Sequence, residues 1–288
     1  RNDNSPGNRL VPDLVACSDR KFAEDLKTQN ATTASTENTP KGDRVAAAAP
    51  GETSREPKPF TVVIDPGHGG IDSGAESSSG IMEKNVTLLF AQQLRDELAK
   101  IPGLRVEMTR TDDTFLRLTE RVRIARQHEA DLFISLHADT INRGNIRGAT
   151  VYTVSDKASD AESRAMADRE NRADAVAGIA FDNEAPEIAD ILMDLTRRET
   201  HNFSLCFAKS VVSSLKKDVN MINNPHRFAG FQVLRAPDVP SVLVEIGYLS
   251  NAEDEKLMLD PAWRTHVATR LATAVGEFSG LKTAGALN

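Results

Sequence analysis

Four residues of this chain stand where hydrolytic metal chemistry could be done. The run Asp65-Pro-Gly-His-Gly-Gly70 presents His68 in a glycine-rich turn, and Ser135-Leu-His-Ala-Asp139 presents His137 just past an apolar stretch. Glu83 opens a segment of helical periodicity, and Glu245 interrupts the apolar run Ser241-Val-Leu-Val-Glu-Ile-Gly247. Two imidazoles and a carboxylate, with a fourth position left open, are the usual ligand set of a catalytic zinc. Nitrogen and oxygen donors without thiolate suit that ion. A second carboxylate nearby can take a proton from the attacking water and return it to a leaving nitrogen. Glu245 fits that role, because a carboxylate in a core strand is costly unless it has a partner or a task.

Each residue alone has an ordinary reading. A histidine after a strand is commonly a turn residue, a glutamate at a helix start commonly answers the helix dipole, and Glu245 could be a hydrogen-bonded core carboxylate. The joint placement of all four argues for a site. Among the other histidines, His128 lies on a polar helix, His201 at a helix start and His266 on a late helix, whereas His226, after Asn223-Asn-Pro225 in a loop, could face the cleft.

The elements that must position these residues alternate. Phe60 to Ile64, Leu104 to Thr109, Asp131 to Leu136, Gly148 to Val154, Phe231 to Leu234 and Ser241 to Ile246 read as strands from their apolar, β-branched runs. Glu83 to Ile101 places Val86, Leu89, Phe90, Leu94 and Leu98 on one helical face and stops at Pro102-Gly103. Leu116 to Ala130, Thr200 to Leu215 and Pro261 to Phe278 supply further helices. The pattern predicts an α/β fold, a mostly parallel twisted sheet of about six strands flanked by helices on both faces. In such sheets, sites form outside the carboxyl ends of the strands. Residues 155–199 break the alternation with an Ala-rich, charged, helical stretch that reads as an insertion before the helix near Thr200. Residues 1–58 are polar, low in complexity and too poor in apolar surface to fold alone, so they read as a disordered linker or tail ahead of a catalytic domain at 59–288.

Bulk properties exclude some classes. The formal net charge of −7 over 288 residues argues against a nucleic-acid binder, and no stretch approaches the roughly 18 consecutive apolar residues of a membrane span. The two cysteines, Cys17 and Cys206, lie in unlike surroundings and are not expected to pair.

The motifs Val63-Ile-Asp-Pro-Gly-His-Gly-Gly70, Glu83-Lys84-Asn85, Phe133-Ile-Ser-Leu-His-Ala-Asp139 and Val244-Glu-Ile-Gly-Tyr-Leu-Ser-Asn251 resemble those of the zinc-dependent N-acetylmuramoyl-L-alanine amidases of the bacterial cell-separation type. Arg121-Val-Arg-Ile-Ala125 adds to a likeness that runs from about Phe60 to Lys282. The resemblance implies a substrate, the peptidoglycan amide between N-acetylmuramic acid and L-alanine. It implies one Zn²⁺ per chain on His68, Glu83 and His137, and Glu245 as the catalytic glutamate. It also implies a periplasmic, secreted enzyme; the sequence itself does not settle the oligomeric state, for which a monomer is the expectation. Some family members carry a helical insert whose glutamate occupies the metal's open position until a partner resembling an inactive zinc endopeptidase (LytM-like) relieves the block. Arg169-Glu-Asn-Arg-Ala-Asp174 resembles that inhibitory helix and makes Glu170 the candidate blocking ligand, with Glu162, Glu184 and Glu187 as competitors. The apolar positions Ile188, Ile191, Leu192 and Leu195 then read as either core packing or a partner surface. Two other classes compete: a wall-binding module with a vestigial site, which would hold no zinc, and a zinc peptidase or deacetylase, which would release a different product.

Overall fold

The protein is described by a computed structural model covering residues 58–141, 146–176, 178 and 191–283, with side chains left out at 191–194 and 281–283. The expected tail, apart from Lys58, lies outside the described residues, as do Cys17, Glu184, Glu187 and Ile188.

Six strands form one sheet in the order β2-β1-β3-β6-β4-β5. They are β1 (Phe60–Pro66), β2 (Leu104–Met108), β3 (Leu132–His137), β4 (Ala149–Val154), β5 (Met221–Ala229) and β6 (Ser241–Glu245). The first four in spatial order run parallel. β4 pairs antiparallel with β6, and β5 runs parallel to β4, so the last two strands point the other way. β1, β3 and β6 are buried along their whole lengths, which is why they read as near-continuous apolar runs. Their side chains feed two cores. Val62, Ile64, Leu132, Ile134, Val242 and Val244 pack beneath α1 (Glu83–Leu98), α5 (Ile191–Leu215) and α7 (Pro261–Thr283). Val63, Phe133 and Leu243 face the other way, with α2 (Leu118–Gln127) and α3 (Ala161–Glu170). The short helices α4 (Ala173–Val176) and α6 (Ala252–Leu259) complete the described elements. Among the described residues, no helix is long and apolar enough to cross a membrane.

The sheet departs from the sequence expectation at one edge. Phe231 to Leu234 is a 3₁₀ turn (Gln232–Leu234), not a strand, and the sixth strand is β5, where the sequence reads as a loop. β5 carries Pro225, and its register slips opposite Ala149 and Val151. Both are tolerated at a sheet edge, where no further strand needs the missing N–H. The apolar residues after it bury Phe231, Val233 and Leu234 in the second core without a ladder. The helix expected near Thr200 is already formed at Ile191, where the described residues resume. α6 went unread because its acidic first turn looks like surface loop; Asn251 caps it by accepting from the main chain of Glu253 and Asp254.

Candidate active site

The parallel strand ends bring the four expected residues to one rim. His137 closes β3 and lies in register with Glu245 at the end of β6. β1 runs into the turn carrying His68, and Glu83 opens α1 beside it. All four are buried: Glu83 and Glu245 are 0% exposed, His137 5% and His68 7%. The insertion supplies a fifth group, Glu170, the last residue of α3, also 7% exposed.

The distances bring both carboxylates against both imidazoles. His68 Nε2 lies 3.1 Å from Glu83 Oε2 and 3.4 Å from Glu170 Oε2. His137 Nδ1 lies 3.1 Å from Glu83 Oε1 and 3.2 Å from Glu170 Oε2. A tetrahedral ion with ligands at about 2.0–2.1 Å has ligand–ligand edges of about 3.3–3.4 Å, and the four separations are close to such edges, with Glu83 presenting a different oxygen to each imidazole. The single-atom cluster of mutually close ligands is His68, His137 and Glu170, within 4.8 Å. Glu83 joins it with one oxygen turned to each imidazole. Among the described residues, His68 Nε2 is buried and makes no well-formed hydrogen bond, although Glu83 Oε2 lies 3.1 Å away; a metal would engage it. The residues fit a zinc-type ion.

The charges agree. Burial works against protonation of His68, but Glu83 and then Glu170 outweigh it and hold the imidazole well above its ordinary range. His137 is raised in the same way, with Glu170 the larger influence. The pocket is thus strongly negative and favours positive charge. Glu83 suffers the burial penalty too, yet the imidazoles, His68 first, keep its carboxyl well below the usual value. Glu170 goes the other way: burial prevails over both imidazoles, and its pKa rises to about 7. Burial, then Asp139, Glu83 and Glu170, push Glu245 well above the carboxylate range. Its Oε1 has no hydrogen-bond partner among the described residues, while Oε2 accepts from the Asp139 main chain at 3.0 Å. A metal would offset two of the charges that raise it.

A second layer holds these groups. Asp72 Oδ2 sits 2.8 Å from His68 Nδ1 and fixes which ring nitrogen faces the cluster. Glu83 accepts from the main chain of Ala75 at 2.9 Å and Ala138 at 2.8 Å. His68 adopts φ of 61°, a left-handed conformation costing roughly 1–3 kcal/mol. Two buried arginines hold that turn. Arg121 donates to the carbonyls of Pro66 and His68, both at 2.8 Å, and Arg110 donates to those of Pro66 (3.0 Å) and Gly67 (2.9 Å). Arg121 is balanced by Asp65 at 2.8 Å. Burial opposes charge on Asp65, but Arg121 and the hydroxyls of Thr109 and Ser135 keep its carboxyl low. Two glycines make room: a Cβ on Gly67 would come within 2.5 Å of the His137 ring, and one on Gly74, at φ of +65°, within 2.6 Å of Glu83 and His68.

The other expectations sort cleanly. Of the insert's described glutamates, Glu170 reaches the cluster, while Glu162 pairs with Arg227 at 3.2 Å. His226 lies on β5 and bonds Thr153 Oγ1 at 3.1 Å, away from the cleft. His128 follows α2 near Glu107, and His266 faces Asp218. Cys206 is a free, half-buried thiol. The sequence reading missed Asp72, Arg110 and the tie between Arg169 and Asp139. An acid four residues after a glycine-flanked histidine was the available signal for Asp72; nothing local marked the other two.

The profile of the N-acetylmuramoyl-L-alanine amidase family matches residues 62–277. The chain is 40% identical over 215 residues to N-acetylmuramoyl-L-alanine amidase AmiA of Escherichia coli, covering 74% of each chain. It is 36% identical over 233 residues to AmiC of Neisseria meningitidis, covering 79% of this chain and 54% of that one. Among solved structures, amidase AmiC2 of Nostoc punctiforme superposes with a TM-score of 0.56 at 26% identity, over 77% of this chain and 97% of that one. The strand ends that gather His68, Glu83, His137 and Glu245 are therefore those of a known hydrolase fold, and the chain belongs to the N-acetylmuramoyl-L-alanine amidase family.

Proposed function

We propose that this chain hydrolyses the peptidoglycan amide between the lactyl group of N-acetylmuramic acid and L-alanine, using one zinc ion on His68, Glu83 and His137. The observation that supports this reading is the buried cluster of His68, His137, Glu83 and Glu170, whose ligand atoms lie 3.1–3.4 Å apart across its carboxylate–imidazole contacts. Zinc held there would act as a Lewis acid on the scissile carbonyl and acidify water. The chain's own residues do the rest. Glu245, beside His137 in the register of β3 and β6, takes a proton from the attacking water and passes it to the departing nitrogen. The amide C–N bond breaks, a C–O bond forms, and the products are a lactyl carboxylate and a free L-alanine amine. Asp72 keeps His68 oriented.

In this reading α3 is a plug. Glu170 takes the position that a substrate or water needs, so the described arrangement is a resting state. An activator resembling an inactive zinc endopeptidase withdraws the insert during daughter-cell separation. Of the apolar positions that could form a partner surface, Leu195 is exposed on α5; the side chains of Ile191 and Leu192 lie outside the described residues. Catalysis is assigned to residues 59–288, acting as a monomer in the periplasm. Mass spectrometry of peptides released from purified peptidoglycan tests the reading. Glu170→Gln should free peptides with L-alanine at their amino terminus, chelator should stop it, and the unaltered chain should be nearly silent. A folded, zinc-loaded Glu170→Gln protein that frees no such peptide would overturn the assignment.

A further inference from the structure

Glu170 does not enter the cleft alone. Arg169, the residue before it, donates through Nη2 to the Asp139 carboxylate and to the carbonyl of Thr140 at 3.0 Å. The two partners are built differently. Arg169 rides on the removable helix α3, and its side chain is 42% exposed. Asp139 belongs to the permanent floor. It follows His137 by two residues and is 4% exposed. Its main-chain N–H donates to Glu245 Oε2, and its carbonyl accepts from Leu249 at 2.9 Å. Its second carboxylate oxygen accepts the Thr140 main chain at 2.6 Å.

When α3 leaves, an Asp139 carboxylate oxygen and the Thr140 carbonyl both lose the N–H donor they share and face the opened cleft. A carboxylate beside a carbonyl is a strong paired acceptor for a donor that enters there. The group that arrives with the scissile amide is the stem peptide, which is rich in N–H donors. Asp139 is tied through its own main chain to Glu245, the carboxylate that serves the leaving nitrogen, so the vacated acceptors lie on the leaving-group side.

We propose that Asp139 and the Thr140 carbonyl form an acceptor subsite for an N–H donor of the stem peptide, and that Arg169 occupies it in the closed form. Arg169-Glu170 is then a two-residue stand-in for substrate, Glu170 at the metal cluster and Arg169 at the peptide subsite. The proposal rests on the reading of α3 as a plug.

Two variants that break the same ion pair separate a subsite from a simple latch. Turnover of synthetic N-acetylmuramoyl tripeptides is measured with the zinc-loaded full chain. Arg169→Met should raise activator-free turnover about tenfold or more by weakening the closed state. Asp139→Asn, although it breaks the same pair, should not. In a Glu170→Gln background, adding Asp139→Asn should raise KM about 10- to 100-fold, the range for a hydrogen bond to a charged group, with kcat changed far less. Substrates with lysine or norleucine as third residue identify the donor: an equal KM penalty on both assigns a backbone N–H, and a penalty on lysine alone assigns its ammonium. The proposal fails if Asp139→Asn raises turnover as Arg169→Met does and leaves KM untouched in the Glu170→Gln background. A failure of the plug itself looks different, since Glu170→Gln would then leave turnover at the level of the unaltered chain.

Discussion

Glu83 and Glu170 are two buried carboxylates at nearly equal distances from the same two imidazoles, yet they are held in opposite ways. Glu83 stands at the start of α1 and accepts main-chain N–H groups from Ala75 and Ala138. With both oxygens engaged and both histidines facing it, its carboxyl stays well below the ordinary range. Glu170 sits at the end of α3 and accepts no main-chain N–H among the described residues; burial dominates and lifts it to about 7. In the proposed function the same side chain serves as a built-in ligand on the scaffold side and as an ill-solvated visitor on the insert side. A ligand whose charge is poorly supported is one that a modest competing interaction can remove.

The largest expected effect would break the symmetry between scaffold and insert altogether. Glu245→Gln keeps the shape of the cleft and every metal-facing group but removes the proton carrier. Turnover in a Glu170→Gln background should fall about 10²- to 10⁴-fold with zinc content unchanged. Next in size, Arg121→Met strips the counter-ion from Asp65 and the donor from the His68 carbonyl. An uncompensated buried charge should cost about 3–5 kcal/mol in urea unfolding. The sign of its pH dependence is fixed by Asp65. Because the folded-state pKa of Asp65 is lowered, its contribution is complete above the ordinary carboxylate range and is lost as pH falls through the lowered value. Removing Arg121 raises that value, so the acid limb of the stability curve should move toward neutrality; an unshifted limb would mean Asp65 is held by its hydroxyl partners alone. Smaller still, Asp72→Asn should weaken zinc affinity about 10- to 100-fold while leaving the fold intact, as measured by competition with a chromophoric chelator.

These expectations differ in how far the sequence announces them. The parallel core was legible because β1, β3 and β6 are covered on both faces and must be apolar throughout; a polar residue at such a strand end, such as Glu245, then stands out. The glycine turn announced His68 because only small residues fit against the His137 ring. β5 was hidden because an edge strand obeys weaker rules: it keeps Pro225, a slipped register and a left-handed Asn224 at φ of 55°. The insert was legible as helical from its composition. Its docking was not, because the contacts that seat it, Arg169 on Asp139, Asn171 on the Gly230 carbonyl at 2.9 Å and Asp174 on the Leu118 main chain at 3.1 Å, join residues 30 to 59 positions apart. No local pattern encodes such pairings.

The most direct test of the contrast between the two carboxylates is to exchange each for its isostere and measure zinc content and turnover side by side. Glu83→Gln should lose zinc affinity by about 100-fold or more and remain inactive at limiting metal. Glu170→Gln should keep its zinc and gain turnover on muramoyl peptides. If Glu83→Gln holds zinc as well as the unaltered chain does, or if Glu170→Gln holds zinc and stays silent, the division into permanent ligand and removable plug is wrong.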